Sequence, residues 1–172
     1  MHSVDNVEEI WSNNLEVNNQ VYQDFLNLYL ANSTLVYHRE FVKNNSLGYG
    51  EDPFHYFWWI ILDKIQETFG CIHFLEIGVF KGQILSLVPY IAKTKEYDCE
   101  FKGVTPLSGA GDKYATYEED DYLAIITKVF KYFQVPFDSS QNLIHGLSTD
   151  KNTIETIKKS RYRYKKYKKD ER

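Results

Sequence analysis

From Cys71 to Val79 the chain is almost continuously apolar, interrupted near its end by Glu76. A strand covered on both faces reads this way, and such strands belong to parallel sheets. Gly78 and Gly82 follow at once, and then Ile84, Leu85, Leu87, Val88 and Ile91, whose spacing predicts a helix over 81–93. Pro89 is expected to bend or shorten it. Phe101 to Val104 reads as a second strand and 105–117 as a loop rich in Gly and Ser. A helix is predicted over 118–133, its acidic first turn (Glu118, Glu119, Asp120, Asp121) matched to the helix dipole and its end closed by Pro136. Asn142 to Leu147 reads as a third strand, and Ser148 or Asp150 caps a last helix from Lys151 to about Ser160. Strand alternating with helix requires a parallel sheet with right-handed crossovers. The fold class expected is therefore α/β, with a parallel sheet of about three strands.

The first third of the chain is different. Val7, Ile10, Trp11, Val17, Val21, Phe25 and Leu28 recur at helical steps and predict a helix from Val4 to about Ala31, with an interruption at Asn13-Asn14. Asn32-Ser33 breaks that pattern, and Leu35 to Val42 has no readable period. A loop over 44–52 centres on Gly48-Tyr49-Gly50. Asp52 as N-cap and Pro53 at the first helical position open a helix that Gly70 ends. Its aromatic cluster, Phe54, Tyr56, Phe57, Trp58 and Trp59, reads as core packing. These boundaries give an N-terminal helical extension (1–51), an α/β domain (52–157) and a basic tail (158–172).

The net charge of −4 hides an asymmetry. Residues 158–172 hold nine basic and two acidic residues, a net of +7; residues 1–157 hold 11 and 22, a net of −11. An acidic body excludes a nucleic-acid-binding surface there, so nucleic acid is expected only through the tail, where Tyr162, Tyr164 and Tyr167 alternate with Lys and Arg. The tail reads first as a solvated extension of the last helix, and second as the end of a truncated gene. No apolar run nears the roughly 20 residues of a membrane span. The start of the chain carries Asp5, Glu8 and Glu9 without Lys or Arg, unlike a targeting signal. A cytoplasmic protein with reduced thiols is expected. Cys71 and Cys99 lack a C-x-x-C context and read as small apolar packing groups. His38, His55, His73 and His145 show no metal-ligand spacing, and no G-x-S-x-G marks a hydrolase.

The chemistry-bearing segment is F-L-E-I-G-V-F-K-G-Q-I-L-S, residues 74–86. A strand that ends in an acid, turns on glycine and opens a helix places a ligand at the sheet's carboxyl end, against free helix N–H groups. The spacing E-x-G-x-x-x-G does not fit a dinucleotide fingerprint, which would need glycine where Phe80 and Gln83 stand, nor a phosphate loop, since no G-K-S or G-K-T follows. It resembles motif I of class I S-adenosylmethionine-dependent methyltransferases, over about residues 52–157. The resemblance implies an incomplete Rossmann-like fold and S-adenosylmethionine as cofactor. It implies that Glu76, Gly78 and Gly82 surround the methionine part, with Phe80 in place of the usual middle glycine. Thr105 stands where the family carries an acid for the ribose hydroxyls, and Asp112 in the following loop is the substitute. Ser148, after Gly146-Leu147, falls where the family contacts adenine. The fourth and fifth strands have no counterpart, as in a truncated or frame-shifted copy, or one completed by a partner. The functions expected are methyl transfer to an acceptor the sequence does not reveal, or a catalytically empty interaction module. The latter would pair as a homodimer, or with another chain, at an open sheet edge.

Overall fold

A computed structural model describes residues 14–108 and 121–167, with side chains to Lys159. The described residues form an α/β chain of seven helices and a three-stranded parallel sheet. The elements in chain order are α1 (Leu15–Leu30), α2 (Ser33–Asn44), α3 (Pro53–Phe69), β1 (Ile72–Ile77), α4 (Gln83–Thr94), β2 (Cys99–Thr105), α5 (Tyr122–Tyr132), α6 (Ser139–Asn142), β3 (Leu143–His145) and α7 (Lys151–Tyr167). The strand order is β1-β2-β3, with β2 in the centre. Ile72 N–H bonds to Asp98 O and Gly78 N–H to Val104 O at one constant offset, so β1 and β2 run in the same direction. β3 pairs parallel with β2, Val104 opposite Ile144. The chain divides into two compact units, Met1–Phe74 with Ser86–Glu100, and Leu75–Leu85 with Phe101–Arg172. No described helix is long and apolar enough to cross a membrane.

In the first unit α1, α2 and α3 pack together. Asn14 caps α1 by accepting from Glu16 N–H at 2.9 Å; the predicted residues 4–13 lie outside the described residues. The stretch without a readable period is α2, and the Asn32 that seems to break the chain is its cap, accepting from Leu35 N–H. Its buried face is Leu35, His38, Arg39 and Val42, a helical stripe in which half the members are polar. That is why hydrophobicity alone did not reveal it.

Asp52 stands at the predicted N-cap of α3, but its side chain makes no cap hydrogen bond. Its carboxylate instead pairs with Arg39 Nε at 3.0 Å and Lys43 Nζ at 2.6 Å. Burial pushes this carboxyl up, but the bonds from Lys43 and Arg39 outweigh it and hold it below its usual range. Pro53 and the left-handed Gly70 (φ 72°) bound α3 as expected.

β1 differs from the expected doubly covered strand. Ile72 is buried, whereas His73 is exposed and Ile77, on the same face as His73, is 59% exposed. α4 continues through Pro89 to Thr94. In the second unit Asp121 caps α5, accepting from Ala124 N–H at 2.8 Å. Glu118, Glu119 and Asp120 lie outside the described residues. The predicted third strand is shorter, because Asp138 caps the brief α6 immediately before it. α7 runs through Lys158 without a break, as far as Tyr167.

His55 is 2% exposed, and neither ring nitrogen has a hydrogen-bond partner. Burial, and then Arg39, hold its imidazole down to about 4. A lowered imidazole is neutral in the folded chain, so stability is lost as pH falls from about 6.5 towards 4, by up to about 3 kcal/mol. His55→Phe keeps the ring that meets Tyr29 edge-on and removes both orphaned nitrogens. Its urea midpoint is expected to fall distinctly less than the parent's between pH 7 and pH 4.5.

Gly103, near the middle of β2, leaves no room for a side chain. A Cβ there would lie 2.5 Å from Val79 Cγ2, 3.0 Å from Leu85 Cδ2 and 3.2 Å from Leu143 Cδ2. Gly103→Ala is expected to cost about 1–3 kcal/mol through overpacking, measured by chemical denaturation.

Candidate functional site

Glu76 is the penultimate residue of β1. The pleat turns its side chain out of the exposed face, which Ile77 occupies, and its Oε2 is fully buried without a hydrogen-bond partner among the described residues. The carboxylate accepts from the backbone N–H of Leu85, in the first turn of α4. Burial, only partly offset by that hydrogen bond, raises the carboxyl to about 7. An acceptor oxygen with nothing to accept is costly in a folded chain and marks a place for a donor.

The chain leaves β1 through a sharp turn. Gly78 (φ 88°) and Val79 both direct N–H groups to Val104 O, at 3.0 and 3.3 Å. A Cβ on Gly78 would meet nothing within 4 Å among the described residues, so open space faces it there. Glycine is needed there for its backbone conformation, since a positive φ strains other residues. Gly82 (φ 86°) is buried, and its Cβ position lies 3.5 Å from Ile126 Cγ1. The missing side chain lets the start of α4 approach α5 closely. Between the glycines, Phe80 rests against Tyr122 at a centroid distance of 6.1 Å, and Lys81 Nζ lies 5.0 Å from the Phe80 ring. Lys81 is only 7% exposed. Nothing in the sequence distinguishes it, because a lysine beside a glycine turn ordinarily faces solvent.

Thr105 ends β2 beside this turn and is buried. Its hydroxyl donates to Val79 O at 3.1 Å and accepts from Leu107 N–H at 3.1 Å. The single proton is therefore spent on the turn, and only a lone pair is left for a ligand. Asp112 lies outside the described residues. Ser148 is exposed in the turn ahead of α7, where Leu147 N–H bonds to Asp150 and Asp150 opens the helix. His145, at the end of β3, places Nε2 2.9 Å from Pro106 O and so ties the strand end to the segment after β2. The structure thus brings Glu76, Gly78, Phe80, Gly82 and Thr105 to one end of the parallel sheet. Compared with protein-family models, curated proteins and solved structures, the chain has no match.

The raised Glu76 carboxyl makes stability fall as pH rises. Protons bound by the folded chain between about pH 4.5 and 7 are absent from the unfolded one, so ionisation costs up to about 3 kcal/mol above pH 7. Glu76→Gln retains an acceptor for Leu85 N–H and cannot ionise. It is expected to be more stable than the parent at pH 8, with the advantage shrinking towards pH 5 in urea unfolding.

Proposed function

We propose that this chain binds S-adenosylmethionine in an incomplete Rossmann-like fold of the class I methyltransferase type. The single observation that carries the reading is the buried, unpartnered Oε2 of Glu76, beside a glycine turn and a helix N-terminus at the carboxyl end of a parallel strand. A cofactor with an ammonium group would give that oxygen its missing donor and favour the ionised carboxylate. The open space at Gly78 suits a ligand passing close to the backbone, and the N–H groups at the start of α4 suit its carboxylate. The remaining Thr105 lone pair can accept from one hydroxyl. S-adenosylmethionine supplies an activated methyl sulfonium, so the protein's task would be positioning, and no catalytic triad is required. The acceptor is not specified by these residues.

A second reading is favoured by one observation. β1 is terminal in the sheet order among the described residues. An unpaired edge invites a further strand from a second copy or another protein, which suits an interaction module without methyl transfer.

Isothermal titration with S-adenosylmethionine and S-adenosylhomocysteine separates the two readings. Binding by the parent is expected, with Glu76→Gln weakened by about tenfold or more through loss of a charge-assisted hydrogen bond. No heat and no thermal shift at millimolar cofactor would reject the cofactor reading. Equal binding by Glu76→Gln would remove Glu76 from the site.

A further inference from the structure

Within the first unit, three side chains that sequence spacing did not connect stand in a row. Cys71 immediately precedes β1, and His73 follows two residues later, so both leave the chain on the same face. The bond from Ile72 N–H to Asp98 O sets the register that lays His73 beside Glu100 of β2. His73 Nε2 is 3.3 Å from Cys71 Sγ, and His73 Nδ1 is 3.5 Å from Glu100 Oε2. A carboxylate facing Nδ1 favours the tautomer with its proton there, leaving the Nε2 lone pair directed at the thiol. Phe69 O, 3.8 Å from Cys71 Sγ, is a second acceptor within reach of the thiol proton.

The row is accessible. Cys71 is half-buried, and the side chains of His73 and Glu100 are 41% and 64% exposed. Its geometry suits proton relay and not metal binding: the sulfur and the carboxylate address opposite nitrogens of one ring and do not converge. Among the described residues no three His, Cys, Asp or Glu are grouped to hold a metal. The chain's other cysteine is an internal contrast. Burial, and then the charge of Glu100, push the Cys99 thiol up to about 12.

We propose that Cys71 is a reactive thiol site for small-molecule disulfides, with His73 as its base and Glu100 as the residue that positions His73. The Cys71 proton passes to His73 Nε2, and the imidazolium faces the Glu100 carboxylate. The thiolate attacks one sulfur of the disulfide RSSR. A Cys71–S–S–R bond forms as the S–S bond of the reagent breaks, and the departing RS⁻ takes the proton from His73 as RSH. Cys71 is oxidised, half of the reagent is reduced, and excess thiol reverses the exchange. This site does not depend on the cofactor reading.

The test treats the intact chain with oxidised glutathione or an aromatic disulfide at neutral pH and maps the adducts by mass spectrometry. Rapid incorporation of one equivalent at Cys71 is expected, with Cys99, half-buried like Cys71, reacting more slowly and Cys71→Ser abolishing the fast phase. An unassisted thiol is only a few per cent thiolate at pH 7, so His73→Ala is expected to slow Cys71 by about tenfold. Added imidazole restores most of that rate, which a purely structural loss would not allow. Glu100→Gln slows the reaction less, and Glu100→Asp recovers part of the loss. Should His73→Ala not fold, His73→Gln carries the same expectation. Equal rates for both cysteines in the folded chain, or a Cys71 rate indifferent to His73, would overturn the proposal.

Discussion

The second unit depends on a contact that leaves no room for a side chain. Gly103 lies in the central strand, and the Val79 and Leu85 side chains close over it from the turn after β1 and the first turn of α4, with Leu143 of β3 beside them. Close packing at this point fixes where the chain can turn. Val79 must reach back over β2, so the backbone has to leave β1 sharply, and Gly78 takes a positive φ to do it. The same turn aligns Gly78 and Val79 N–H on Val104 O and draws the Thr105 hydroxyl to Val79 O. The candidate site is thus the outer side of a packing solution.

Placing Glu76 next to that turn is unfavourable for the protein alone. Its carboxylate receives Leu85 N–H but retains a buried oxygen without a donor. The first unit has a comparable burden of opposite sign, where Arg39 and His55 are buried and the His38 ring stands 5.6 Å from that of His55. Asp52 answers the Arg39 charge, with Lys43 sharing the carboxylate, but nothing hydrogen-bonds the His55 ring. One group resists ionisation as pH rises and the other as pH falls. In both cases a polar side chain is held where apolar packing alone would not put it.

Much of the architecture was legible in the chain because its signals are local. Pro53 and Gly70 bound α3, and the alternation after residue 70 marked three strands and the helices between them. Failures came where a distant partner outcompeted a local one. Asp52 has the position of a cap but is claimed by Arg39 and Lys43. α2 was hidden because His38 and Arg39 occupy its buried stripe. β1 read as doubly covered because its sequence is apolar, yet His73 and Ile77 are exposed on one face. Thr105 and Glu76 were both legible as residues near the turn, but not the fact that the Thr105 proton is already used while a Glu76 oxygen is not.

By itself, the sequence determined the periodicities, the glycine turn at 78–82 and the acid that precedes it, since each follows from the conformational preferences of neighbouring residues. Only the tertiary structure decided which polar groups found partners. Register across the sheet set His73 beside Glu100 and brought Val104 O to the turn. Those pairings join residues far apart in the chain, and strand register depends on the packing of whole faces, which no short stretch of sequence encodes.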